Sequence, residues 1–256
     1  MEKSTKIWGG IILLALLLPL IISIPSYTQV IINKVVIYAI IAIGLNILVG
    51  YSGQISIGHA AFVAIGAYTS SFVTMQLNLS FVFGLIAGGI VAGIIGALLG
   101  IPALRLEGHY LAIATLGFGV AVSQILIVWK SFSGGYQGKL LPRPDLFGLK
   151  ITSKLGNYYL ALVVLLIVIY AARNLLSGRT GRALRALRDS KEAAQAMGIN
   201  TAYYKTLAFI FSAVLTGLAG ALFGHLVGYI SPHNFNLTMS LDFLAMIVVG
   251  GLASIS

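Results

Sequence analysis

The chain has 256 residues, 59% of them apolar and only 9% charged, with 30 glycines; a soluble domain carries roughly 25% charged residues, so this balance excludes one and defines an integral membrane protein. Sixteen Lys and Arg against six Asp and Glu give a net charge of +10, but the basic residues lie between apolar runs with almost no aromatic interleaving, which fits membrane topology rather than a nucleic-acid partner. With no cysteine present, disulfides, thiolate catalysis and Cys-based metal sites are excluded.

In chain order, the first apolar run is Ile7–Ile24, preceded by Lys3 and Lys6 and interrupted by Pro19. It exceeds a usual signal-peptide core and no small-residue cleavage site follows, so it predicts a retained anchor with the N-terminus cytoplasmic. The runs 35–49 and 57–75 flank a stretch containing Gly50, Ser52, Gly53, Gln54, Gly58 and His59. As one helix, 35–75 would reach roughly 60 Å, twice the hydrocarbon thickness, so the chain must break between them. Irregular backbone at such a depth is tolerated only against protein or water, which makes these six residues candidates for the edge of a translocation path.

The run 81–104 carries Gly84, Gly88, Ala92, Gly96 and Gly100 at four-residue spacing, with Gly89, Gly93 and Ala97 in a second row. Small residues at that interval let another helix backbone approach closely, and packing within the same chain is the expected use. Arg105 and Glu107 mark a turn before 110–128, and 130–157 is a polar, proline-containing interval with five basic residues. Further runs follow at 158–176 and 207–229, the latter with Gly220, Gly224 and Gly228 in a row, and a last one begins at Leu241 and ends at Ser256, short of a usual span.

Between 173 and 205 lies the one long polar interval, with seven basic residues. Counting alternate sides puts Lys3, Lys6, Arg105 and these seven inside. Lys34, Lys130, Lys139, Arg143, Lys150 and Lys154 fall outside, a modest bias of the sign expected for cytoplasmic loops. Within this interval Asp189 stands three residues before Glu192, as in a capping box, and Gly198 stands where a left-handed residue would end a helix of about two turns. The predicted fold is an all-α polytopic bundle with about eight apolar segments in a single domain, 1–256.

No GxxxxGK[ST], HExxH or Cys-based zinc signature occurs, so ATP is not held by a P-loop here and no metal or catalytic residue is expected. The near absence of acidic residues in the apolar runs argues against a proton-coupled secondary transporter, and leaves a channel as a weaker reading. A lone intramembrane histidine such as His59 or His225 is more often a hydrogen-bonded packing element than a ligand. One enzymatic alternative is visible: Gly50, Ser52 and Gly53 match the GxSG of rhomboid intramembrane serine proteases, with His225 as the base of a Ser52/His225 dyad.

The segment GLNILVGYSGQISIGHAAF at 44–62, followed by Gly66, Ala67 and Tyr68, resembles the signature of the permeases of branched-chain amino acid ABC importers, in particular the M-type (LivM-like) subunit. Further blocks agree: Gly134 and Gly135 through Pro142-Arg143-Pro144, Leu146 to Gly148, Gly181 to Arg185, Ala208 to Leu222, Ile230-Ser231-Pro232, and Gly250-Gly251. Glu192, Ala193 and Ala194 with Gly198 fit the EAAxxxG pattern of ABC permease coupling loops, although the Leu-Pro that can follow is missing. The resemblance covers roughly residues 38 to 252.

The resemblance implies an all-helical importer permease in the cytoplasmic (inner) membrane. Its expected partners are a second permease subunit, two cytoplasmic ATPases that bind the ATP and magnesium, and an external substrate-binding protein. Its cargo would be leucine, isoleucine and valine, with urea or amide import as the alternative. Arg185, Arg188, Asp189, Lys191, Glu192, Ala193, Ala194 and Gly198 are the expected ATPase-coupling residues. Lys139, Arg143, Lys150 and Lys154 in the outer interval are expected to meet the binding protein. Family members continue past Gly250-Gly251, so a C-terminally shortened chain is expected.

Overall fold

A computed structural model describes residues 26–103, 106, 108–146 and 148–253. The predicted anchor Ile7–Ile24 with Lys3, Lys6 and Pro19, the turn residues Arg105 and Glu107, and the end at Ser256 lie outside the described residues.

The helices are α1 (Ser26–Asn46), α2 (His59–Met75), α3 (Phe81–Ala103), α4 (His109–Val128), α5 (Lys154–Ser177), α6 (Arg179–Asp189), α7 (Lys191–Ala196), α8 (Thr201–Val227) and α9 (Leu237–Gly250). A π-helical turn, Ile47–Tyr51, continues α1. Five segments are long and apolar enough to cross a bilayer: Tyr27–Tyr51, Phe81–Ile101, His109–Val128, Lys154–Ser177 and Thr201–Val227. Helices α2 and α9, with 17 and 14 residues, fall short of the roughly 20 that a full crossing takes. Helix α1 starts nine residues before the expected position, because Asn33 and Lys34, which look like loop residues in the sequence, stay helical. Asn33 is buried and donates from Nδ2 to the Lys154 carbonyl at 3.4 Å.

Helix α8 is the axis of the bundle and packs against α3, α2 and α1. The first three of these meet backbone to backbone. A Cβ on Gly66 of α2 would collide with the Gly217 carbonyl oxygen of α8, one on Gly217 would lie 2.6 Å from the Gly88 oxygen of α3, and one on Gly88 would lie 2.9 Å from the Gly66 oxygen. The three glycines thus close a triangle of backbone contacts, with the Ala92 methyl beside it. The rest of the predicted row also packs within the chain: a Cβ on Gly84 would meet Ser70 Oγ at 2.6 Å, one on Gly96 the Ala213 Cβ at 2.5 Å, and one on Gly100 the Thr206 Cγ2 at 3.2 Å, while Ala92 is fully buried. The second row faces α8 too, with Gly93 opposite Val214. In lipid such close approach supplies the van der Waals contact that holds helices together.

Two short antiparallel ladders order the loop end. Strand β1 (Lys139–Leu140) pairs with β4 (Tyr229–Ile230), which directly follows α8, and β2 (Asp145–Leu146) pairs with β3 (Leu149–Lys150). The loop therefore lies clasped against the end of α8.

Candidate translocation and coupling sites

The polar side chains of the break between α1 and α2 are buried and hydrogen-bonded. Ser52 Oγ donates to the Leu48 carbonyl at 2.6 Å, and Gln54 Nε2 donates to Ser52 Oγ at 2.8 Å and to the Lys205 carbonyl at 3.2 Å. The Ile57 amide donates to Thr115 Oγ1 of α4 at 3.0 Å, and the Ala60 amide to Ser240 Oγ of α9 at 3.0 Å. His59 is 1% exposed, with Nδ1 3.0 Å from Ser56 Oγ and Nε2 2.8 Å from Ser212 Oγ. It behaves as a hydrogen-bonded packing element. The polar groups of the interruption are thus bonded partly within the break and partly to α4, α8 and α9, which is the condition for irregular backbone at membrane depth. Gly53 takes φ +69°, and a Cβ there would lie 3.6 Å from Arg188 Cγ; one on Gly58 would strike the Thr115 carbonyl, and one on Gly50 would lie 2.5 Å from the Ala253 amide.

Next to the break stands the basic segment. Helix α6 buries Gly181, Ala183, Leu184 and Leu187 and turns Arg182, Arg185 and Arg188 outward. Arg185 reaches back to the Gly181 and Leu176 carbonyls at 3.2 Å each, satisfying the C-terminal end of α5. The expected capping box is displaced by one residue. Asp189 is the last residue of α6, so Ser190, with extended backbone (φ −158°, ψ 121°), is the N-cap of α7. Its Oγ accepts from the Ala193 amide at 3.2 Å and its hydroxyl donates to Glu192 Oε2 at 3.2 Å. Glu192 thus sits in the first turn, where its charge complements the helix dipole.

The other end of α7 is as expected. Gly198 takes φ +79°, its amide donates to Gln195 O at 2.9 Å and the Ile199 amide to Ala194 O at 3.0 Å, the two bonds of a Schellman stop. Ala194 is buried, whereas Glu192, Ala193 and Met197 are exposed, Met197 at 83%. A cleft of about 300 Å³ separates α7 from the break, lined by Ser52, Gln54, Arg188, Lys191, Glu192 and Lys205 among others. The structure therefore joins two stretches that the sequence shows far apart.

At the loop end, the predicted docking cations stand in different local surroundings. Arg143 Nη1 donates to the Thr152 carbonyl at 2.6 Å, and Arg143 and Lys154 share a cavity of about 300 Å³ with Lys34 and Asn157. Lys139 lies in β1 with its ammonium 6.0 Å above the Phe132 ring, and partial burial pushes its pKa below the ordinary lysine value. Lys150 pairs with Asp145 in the β2–β3 ladder.

His225 also belongs to this end: Nε2 lies 3.1 Å from Ser70 Oγ and Nδ1 2.9 Å from the Pro142 carbonyl. Both ring nitrogens are thereby engaged away from Ser52, whose hydroxyl is committed to Leu48. The Ser52/His225 dyad is not assembled, which removes the protease reading. Among the described residues no group of three His, Asp or Glu side chains is placed to hold a metal ion. Sequence reasoning missed Thr115, Ser212 and Ser240, the partners of the break. Their signal was a hydroxyl inside an otherwise apolar run.

Five apolar crossing segments, two short helices beginning at polar breaks, and a basic amphipathic segment leading to a capped, outward-standing helix define a multi-pass membrane permease. The family profile described as "Branched-chain amino acid transport system / permease component" matches residues 27–256, and the chain belongs to that family. It is 38% identical over 242 residues to the high-affinity branched-chain amino acid transport system permease protein LivM of Escherichia coli, covering 85% of this chain and 57% of that protein. Identity to LivM of Salmonella typhimurium is 36% with the same coverage, and to LivH of that organism 28% over 236 residues, covering 85% of this chain and 76% of LivH. The chain spans little more than half the length of the LivM relatives. No solved structure matches it.

Proposed function

We propose that this chain is a transmembrane subunit of an ATP-driven importer that moves leucine, isoleucine and valine into the cell. The observation that carries the reading is the Ser190–Gly198 element: a short helix stopped at both ends by its own hydrogen bonds, standing out from the bundle, with exposed Glu192, Ala193 and Met197 and facing the break across a shared cleft. Such an element suits a knob that receives movement from a cytoplasmic ATPase and delivers it to the membrane. In this reading the 173–205 end faces the cytoplasm, as its basic residues favour, and the 130–157 end faces outward. The chain then forms one permease domain in the cytoplasmic membrane, with its N-terminus inside.

The remaining parts follow from the same reading. A second permease subunit supplies the other half of the path, two ATPases bind ATP and magnesium, and an external binding protein delivers the amino acid at the Lys139, Arg143, Lys150 and Lys154 end. The greater identity to LivM than to LivH supports the M-type position in the pair. The test is reconstitution of the chain in vesicles with the ATPase, second-permease and binding-protein products encoded beside it. ATP-dependent accumulation of labelled leucine is expected. Accumulation of urea or an amide in its place would redirect the substrate, and ATP-independent flux of leucine would sink the importer reading.

A further inference from the structure

We propose that the cavity between α2, α4 and α9 is where this chain holds the amino acid in transit, its carboxylate toward the start of α9 and its side chain against an apolar wall. The proposal rests on the importer reading above. The cavity measures about 190 Å³, and a dry cavity of about 150 Å³ already accommodates benzene, so the space suits a single branched aliphatic residue.

Its position is that of a binding site in a membrane. His59, the first residue of α2, is bonded to Ser212, the twelfth residue of α8, about 16 Å along a helix about 40 Å long. Helix α2 therefore begins deep within the bundle and not at a surface. Helix α9 starts against it, since Ser240 of its first turns accepts from the Ala60 amide. Two interrupted segments thus converge on one space; the Ala60 and Ala61 amides of α2 are taken by Ser240 Oγ and the Gly58 carbonyl, so it is the start of α9 that favours an anionic group through its first N–H groups and dipole. At α9, Asn236 Oδ1 takes only the Met239 amide, at 3.0 Å.

The lining supplies the rest of the chemistry. Ile57, Ala61, Leu116 and Val120 form an apolar wall, and Ser123 and Gln124 present polar atoms from the last two turns of α4. Among the described residues neither side chain has a hydrogen-bond partner, which is an expensive arrangement in a membrane unless a ligand or a second subunit uses it. Ser123 Oγ and Gln124 Oε1 can accept from the ammonium group, while the N–H groups at the start of α9 donate to the carboxylate. Among the described residues no charged side chain lines the cavity, so the zwitterion enters as a neutral pair, whereas a Lys or Glu side chain would remain without a counter-charge. Gln124 and half-exposed Val120 leave the space open on the outward side of α4, where a second permease would close it.

The chain has no cysteine, so S123C introduces its single thiol. In the reconstituted complex with cysteine-free partners, modification of S123C by a water-soluble thiosulfonate during ATP turnover is expected to slow at least threefold with leucine, isoleucine or valine, and not with lysine or glutamate. A second variant, Gly119→Leu, fills the cavity; a Cβ at that position meets only Gly58 Cα, at 3.6 Å. It is expected to lower leucine import at least tenfold while leaving the stimulation of ATP hydrolysis by liganded binding protein intact, a split that a folding defect would not produce. If the wild-type complex imports leucine but S123C is unprotected and Gly119→Leu transports normally, the cavity proposal is overturned and the importer reading stands. If the wild-type complex imports no branched-chain amino acid, the importer reading itself fails.

Discussion

The triangle formed by Gly66, Gly88 and Gly217 makes Gly66→Ala the most informative single substitution for the fold. The new methyl would overlap the Gly217 carbonyl oxygen and lie 2.7 Å from Gly217 Cα, whereas carbon atoms rest at about 3.5–4.0 Å. The obstacle is backbone, so no rotamer change relieves it and α2 must move roughly 1 Å away from α8. A gap of that size forfeits a quarter to a half of each dispersion well along the contact. Overpacking of this kind costs about 1–3 kcal/mol, and the upper end applies because Gly88 of α3 shares the junction. At about 2–4 °C per kcal/mol for a chain of this size, the detergent-solubilised protein should lose about 6–12 °C in Tm. Gly117→Ala is the control, since nothing lies within 4 Å of its added methyl, and it should change stability by less than about 0.5 kcal/mol. The double variant Gly66→Ala with Gly220→Ala should lose less than the sum of the two single losses, because a Cβ on Gly220 would strike the Val63 carbonyl across the same α2–α8 contact and one separation accommodates both methyl groups. Equal thermal stability of Gly66→Ala and Gly117→Ala would refute the backbone-contact argument.

Replacing Glu192 by Lys together with Gly198→Leu inverts the charge of the α7 first turn and places a side chain where φ is +79°, at about 1–2 kcal/mol for the left-handed residue. Membrane abundance should be retained while ATP-driven leucine uptake falls at least tenfold, and unchanged uptake would dismiss α7 as the coupling element. Changing Lys139, Arg143, Lys150 and Lys154 to Ser should raise the binding-protein concentration that half-maximally stimulates ATP hydrolysis, more at low salt than at high, since screening removes the same attraction. A concentration dependence and salt sensitivity identical to wild type would show that the loop end is not the docking surface.

The spans were legible because lipid cannot satisfy a backbone, so runs such as 81–104 and 110–128 must be helical. The break was legible for the complementary reason: 35–75 is too long for one helix, and Gly50, Gly53 and Gly58 mark the interruption. What holds the break was not legible. Thr115, Ser212 and Ser240 come from 58, 153 and 180 residues away from their partners, and a hydroxyl in an apolar run does not say which helix it will face. Asp189 and Ser190 are both good caps. The choice fell to Ser190 because buried Leu184 and Leu187 hold α6 in place through Asp189, a tertiary cause without a local signature. The start of α1 was missed for a similar reason, since the Lys154 carbonyl that meets Asn33 belongs to a helix 121 residues away.

Helix α8 begins three residues after the Gly198 stop and ends where Gly228, at φ +76°, turns the chain into β4. At 27 residues it is about 40 Å of uninterrupted rod. Its second turn carries the Lys205 carbonyl that holds Gln54, and its last carries His225, bonded to the Pro142 carbonyl. A tilt of about 5° about its basic end would carry the far end ~3.5 Å sideways, more than the reach of the hydrogen bond to Pro142 and of the β1–β4 pair beyond it. A small angular motion at α7 would thus become a discrete choice at the opposite face: the clasp travels with α8 or lets go.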